Sequence, residues 1–308
     1  MSARPLRRIK RRMAVALGIA FSELACRGGP DRIRRLGRMI GTAHYWLTWP
    51  LNVRLRRDIA RVLQTSRREA GAVLRSAHRE NDRAVFEIIA LAHTDCNAGA
   101  LVDTVHIENM ERLEEARSAS CGVIVLGMHM GNGILMAARL AQTGLPLHVV
   151  FRDPRRLPPG LLGRSLERAG LVPVPLDREN PTRSFRRMLK ILSGGGILYI
   201  LMDQANKGEG AQRRFLGKTV RMPSGISSLA VRTGAAVVPV HAEAADPKWR
   251  FRVHSRLTAE SADAMLDAML ESMQAQIRRH PGLWAWHHRR WKRYHFPSDP
   301  ETVESTCR

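Results

Sequence analysis

Apolar residues along this chain change their spacing near residue 120. From Val53 to about Glu115 they recur every three or four positions, as at Leu55, Ile59, Val62 and Leu63 and again at Phe86, Ile89, Leu91 and Ala92. Glycine is sparse there, so the spacing predicts helices. From Gly122 onward, short apolar runs alternate with helix-like stretches. The predicted strands are Val123–Leu126, Leu147–Phe151, Leu171–Pro175, Ile197–Met202, Ala236–His241 and Trp249–Leu257. Helices are predicted near Gly131–Gln142, Gly160–Ala169, Arg183–Leu192, Ser224–Thr233 and Ala262–His280. Such alternation predicts an α/β fold with a mostly parallel central sheet flanked by helices, preceded by an N-terminal helical region. There is no internal repeat, no G-x-G-x-x-G and no P-loop after the first strand.

The first fifty residues read differently. Arg4, Arg7, Arg8, Lys10, Arg11 and Arg12 precede the apolar run Met13–Phe21, a pattern resembling a signal peptide. Glu23 interrupts soon after, and the run falls well short of the roughly 20 residues needed to span a bilayer. A second run, Met39–Leu51, carries His44, Tyr45, Trp46 and Trp49 and is broken at Pro50. Clustered Trp and Tyr beside basic residues fit a helix lying in a membrane interface; buried aromatics of a helix pair fit the same pattern. The expected organisation is a membrane-associating segment over 1–52, an α/β domain with a helical cap over 53–296 and a tail over 297–308.

Charge narrows the partners. Fifty Lys and Arg against 28 Asp and Glu give a net charge of +22 in 308 residues, with 44% hydrophobic residues supporting a real core. A balance this basic favours nucleic acid, an acidic protein or an anionic membrane. The cysteines, Cys26, Cys96, Cys121 and Cys307, have neither zinc spacing nor a disulfide framework, which suits a reducing cytoplasm.

Three windows carry candidate chemistry. In G-V-I-V-L-G-M-H-M-G-N-G, from Gly122, a strand delivers His129 to the start of a helix. Unpaired backbone N–H groups at a helix start can hold a developing oxyanion, while a core strand followed by a locally bonded histidine is the plainer alternative. In Leu198–Gln204, L-Y-I-L-M-D-Q, an apolar strand ends in Asp203, where α/β sheets keep their chemistry; a turn cap is the plainer alternative. The third window, Trp284-Ala-Trp286-His287-His288-Arg289-Arg290-Trp291-Lys292-Arg293, interleaves aromatics with arginines. It could stack bases, grip phosphates, sit among lipid headgroups or pack its tryptophans on the core. His287 and His288 have no partner ligands at metal-binding spacing.

In this order, these windows resemble the bacterial lipid A late acyltransferases, the lauroyl/myristoyl transferase branch of the glycerophosphate and lysophospholipid acyltransferase superfamily. V-V-F-R ending at Arg152, L-D-R at Leu176–Arg178, R-F-L-G at Arg214–Gly217 and V-V-P-V at Val237–Val240 complete the set, which covers about Val53 to Arg293. The resemblance implies acyl transfer from an acyl carrier protein or coenzyme A thioester to a hydroxyl of a lipid A-type, glycolipid or lysophospholipid acceptor. His129 would be the general base, Gly131 and Gly133 backbone N–H groups would meet the oxyanion, and Asn132, Arg152, Arg164 and Arg178 would contact substrate. It implies no metal or redox cofactor, no nucleic acid, and a place on the cytoplasmic face of a bacterial inner membrane.

One position departs from the pattern. The family's histidine is followed by an acid in H-x-x-x-x-[D/E], and here Ile134 stands in its place. A base that loses its orienting acid loses orders of magnitude in rate. Three readings follow: Asp203 supplies the carboxylate, His129 works without one, or the chain is a non-catalytic relative. The rival class, a basic nucleic-acid-binding protein, accounts for the charge and the Trp–Arg tail. It leaves His129 and Asp203 unexplained and lacks helix-turn-helix, zinc-finger or RNP signatures.

Overall fold

The computed structural model describes residues 19–23, 25–144, 146–153, 157–177, 179–204 and 210–288. A helical region comes first: α1 (Gly29–Leu47), α2 (Trp49–Leu63), α3 (Arg67–Leu91) and the short α4 (Ala98–Val102). Strand and helix then alternate through β1 (Val105–Glu108), α5 (Glu111–Ser118), β2 (Val123–Gly127), α6 (Gly133–Ala141), β3 (Leu147–Phe151), α7 (Leu161–Arg168), β4 (Val172–Pro175), α8 (Pro181–Ser193) and β5 (Ile197–Leu201). A hairpin, β6 (Ala211–Phe215) and β7 (Lys218–Met222), is followed by α9 (Gly225–Thr233), β8 (Ala236–Ala244), β9 (Trp249–Val253) and α10 (Ala262–Arg279).

The main sheet has seven strands in the order β1-β9-β8-β2-β5-β3-β4. Every neighbouring pair is parallel except β8 and β9. Helices cover both faces, so β2 is buried at all five positions and reads as an unbroken V-I-V-L-G run rather than an alternating one. The predicted α/β class is what the structure has.

Three expectations shift. Four residues inside the stretch expected to be helical form β1, which pairs with β9. The β6–β7 hairpin was not foreseen: it turns on Leu216 and Gly217, both at positive φ (50° and 84°). The strand expected to run from Trp249 to Leu257 ends at Val253, and Leu257 makes only an isolated bridge to Val237.

The N-terminal helices are bound tightly to the rest. Ser66 and Glu69 form a reciprocal capping box at the start of α3, worth about 1 kcal/mol. Along α1, Gly37 and Gly41 meet α3 backbone to backbone. A Cβ on Gly41 would lie 2.5 Å from the His78 carbonyl oxygen, and one on Gly37 would lie 2.8 Å from the Arg83 Cα. Pro50 does not break this region but starts a helix, sitting in the first turn of α2 where no N–H is required. A boundary after residue 52 therefore falls inside α2.

Candidate active site

Strands β2 and β5 are parallel neighbours in a register that pairs Gly127 with Leu201. Both chains leave the sheet at its C-terminal edge, and two residues later each presents its polar side chain, His129 from β2 and Asp203 from β5. His129 Nδ1 lies 2.7 Å from Asp203 Oδ1. The His129 backbone N–H donates to Oδ2 at 3.1 Å, and the Trp284 indole N–H donates to the same oxygen at 2.8 Å. The carboxylate is fully buried, while 23% of the His129 side chain is exposed. With Asp203 accepting from Nδ1–H, the imidazole keeps its Nε2 lone pair turned outward, the tautomer of a general base. The Gln204 amide nitrogen lies 3.1 Å from Nε2, where an incoming hydroxyl would sit.

A strip of the C-terminal chain braces the histidine. Ala285 N–H donates to the His129 carbonyl at 3.0 Å, Gly131 N–H donates to the Leu283 carbonyl at 3.3 Å, and Met130 bridges Trp284 in antiparallel fashion. Trp284 and Trp286 are both buried. Of the options open for the Trp–Arg window, packing on the core describes these two; Arg289 to Arg293 lie outside the described residues. Trp284 is the site residue that sequence reasoning missed in this role, since nothing in its spacing points to a carboxylate on another strand.

Glycine is required at two points by one neighbour. A Cβ at Gly133 would lie 1.9 Å from the Tyr199 hydroxyl oxygen, and one at Gly127 would lie 2.5 Å from its ring. Tyr199 is buried beneath the active-site turn, and that burial, with Asp203 nearby, raises its pKa.

The remaining candidates separate. The Gly131 N–H is committed to Leu283, so Gly131 holds the turn and does not offer an oxyanion donor. Gly133 opens α6, where first-turn amides have no intrahelical acceptor. Asn132, expected to touch substrate, is fully buried: its side-chain oxygen caps α6 at Leu135 N–H (3.1 Å), and its amide donates to Glu87 Oε2 at 2.8 Å. Glu87 is a hub on α3 that also accepts from Trp249 Nε1 at 2.8 Å and Arg83 Nε at 2.7 Å. Arg152 follows β3 directly at the same sheet edge and is exposed; Arg164 is exposed in the first half of α7, which leads from that edge to β4. Arg178 lies outside the described residues. Ile134 is 8% exposed and packs in the core.

A family model for bacterial lipid A biosynthesis acyltransferases matches residues 1–293. The chain belongs to that family. It is 28% identical over 282 residues to a phosphatidylinositol mannoside acyltransferase of Mycolicibacterium smegmatis, covering 88% of this chain and 83% of that protein. Enzymes of the same name from two Mycobacterium tuberculosis strains are 28% identical over 242 residues, covering 75% of this chain and 74% of theirs. As a member of the lipid A biosynthesis acyltransferase family the protein is an acyltransferase of lipid biosynthesis, using an acyl donor and a lipid acceptor. The similar proteins named here are, by name, acyltransferases of phosphatidylinositol mannoside. Among the described residues, no helix is long and apolar enough to cross a membrane.

Proposed function

We propose that this acyltransferase moves a fatty acyl chain from an acyl carrier protein or coenzyme A thioester to a hydroxyl of a glycosylated phospholipid at a membrane surface. The observation carrying this reading is the 2.7 Å contact between His129 Nδ1 and Asp203 Oδ1 at the sheet edge. In this reading Asp203, at the end of the neighbouring strand, takes the part of the acid that position 134 lacks, and the contact supports that assignment.

His129 Nε2 takes the proton of the acceptor hydroxyl as its oxygen attacks the thioester carbonyl. Asp203, fixed by Trp284, stabilises the imidazolium that forms. The backbone N–H of Gly133 at the start of α6 is the oxyanion donor in this scheme. Collapse of the tetrahedral intermediate breaks the C–S bond, and the departing thiolate takes the proton back from the imidazolium. Arg152 and Arg164 hold phosphates of donor or acceptor, with Arg178 added on sequence alone.

The acceptor is reached from the bilayer. Met39, Trp46, Leu47, Trp49, Leu51 and Val53 are exposed by 39–82% along α1 and the start of α2. Arg35, Arg54 and Arg57 are exposed on the same two helices. Apolar residues bordered by arginine suit an anionic headgroup layer.

The test is a transfer assay with labelled acyl-carrier-protein and coenzyme A thioesters, offered a phosphatidylinositol mannoside and a lipid A precursor. The expected product is an acylated mannoside, lost in His129→Ala. Equal turnover by His129→Ala would remove the proposed base, and transfer to the lipid A precursor alone would replace the acceptor.

A further inference from the structure

Away from the His129 cleft, a second group of ligating side chains meets where α1, α3 and the C-terminal turn converge. His44 stands one turn beyond Gly41 on α1. His78 and Asp82 stand four residues apart on α3 and so share one helix face. One ligand atom from each of the three lies within 4.8 Å of the others, and His44 Nδ1 is 2.6 Å from Asp82 Oδ2. His287 closes one side, its ring stacked on His78 at 4.4 Å and edge-on to His44 at 5.7 Å.

The decisive observation is His78. It is 1% exposed, and neither of its ring nitrogens has a hydrogen-bond partner among the described residues. A neutral imidazole carries one N–H and one lone pair. Burying both without partners costs a few kcal/mol that an apolar residue in the same place would avoid.

We propose that His44, His78 and Asp82 form a binding site for a zinc-class divalent cation. Two imidazoles and a carboxylate are a zinc donor set, and bonds of about 2.0–2.1 Å place tetrahedral ligand atoms roughly 3.3 Å apart, within the span these atoms already have. Asp82 serves as a direct ligand or, hydrogen-bonded to His44 Nδ1–H, orients that ring with Nε2 on the metal. Either way the cation ties α1, which bears the exposed apolar residues, to α3. Asn81 of α3 in turn donates to the Leu283 carbonyl at 3.2 Å, next to the tryptophan that holds Asp203.

The test uses the full chain without a histidine tag, stripped with chelator and titrated with Zn²⁺ or Co²⁺. The expected result is one equivalent of zinc retained through gel filtration, a Tm raised by several degrees, and the intense visible absorption of four-coordinate cobalt. Because His78→Ala leaves a buried hole, the deciding variants are His44→Gln and Asp82→Asn, both partly exposed. Each should weaken metal binding about 10–100-fold, while His106→Gln on the exposed face of β1 leaves it unchanged. Absence of stoichiometric binding overturns the proposal, as does binding of equal strength in His44→Gln and Asp82→Asn. None of these readouts depends on acyl transfer.

Discussion

At the scale of single residues, catalysis should hinge on how Asp203 is held. Asp203→Asn keeps the volume but removes the charge that orients the ring and stabilises imidazolium. A fall in kcat on the order of 10²–10⁴-fold is expected, with an unchanged circular dichroism spectrum. Trp284→Phe removes one donor to Oδ2 and should cost kcat about tenfold with little change in KM. Trp286→Phe, which removes an indole N–H that donates to the Pro281 carbonyl at 2.8 Å, is the comparison for lost packing. A second residue-scale expectation concerns His241, fully buried in β8 with His254 and the Glu243–Arg252 pair nearby. Burial, then the adjacent His254, drives its pKa down to about 3. A histidine depressed in the folded state loses nothing above its unfolded value near 6.5; as pH falls below that, the unfolded chain takes up the proton first. Stability should therefore decline by roughly 2 kcal/mol between neutrality and about pH 5 from this group, measurable by urea unfolding and absent in a folded His241→Asn variant. Sequence alone placed His129 and Asp203 at strand ends but could not decide whether they meet. That depended on β2 and β5 being neighbours, although β3 and β4 come between them in the chain.

At the scale of elements, the periodicity from Gly122 to His280 located the core strands and the helices between them, because buried parallel strands are short apolar runs that helices do not imitate once glycines bound them. It failed where that contrast fades. β1 is four residues long with only Val105 fully buried, and β6 presents Gln212 and Arg214 to solvent. The hairpin turn uses Leu216 at positive φ, which no turn preference would suggest. The packing of α1 on α3 was also unread, although Gly37-x-x-x-Gly41 marks one helical face. Gly41→Leu should destabilise the fold by about 2 kcal/mol or more, since the obstacle is the α3 backbone and cannot rotate away. Thermal unfolding checks this, and an unchanged Tm would mean that the two helices do not approach so closely in solution.

At the scale of the molecule, the proposed membrane contact combines a net charge of +22 with the exposed apolar residues of the first two helices. Trp46→Glu with Leu47→Glu should weaken binding to anionic vesicles at least about tenfold, while turnover of a soluble short-chain acceptor stays near wild type. Raising salt should weaken vesicle binding of the wild type as well, because long-range attraction is screened. Unaltered binding by the double variant would move the contact surface elsewhere. The brace formed by Leu283, Trp284 and Ala285 carries a consequence for the order of biosynthesis. Base and carboxylate are both synthesised by residue 203, but the strip that aligns them is encoded some eighty residues later. In the proposed mechanism, a chain ending before Leu283 carries the base and its carboxylate but lacks the strip that braces them. Under that mechanism, transfer activity should appear only once the chain extends past Ala285, and a copy truncated before Leu283 should be inactive in the acyl-transfer assay.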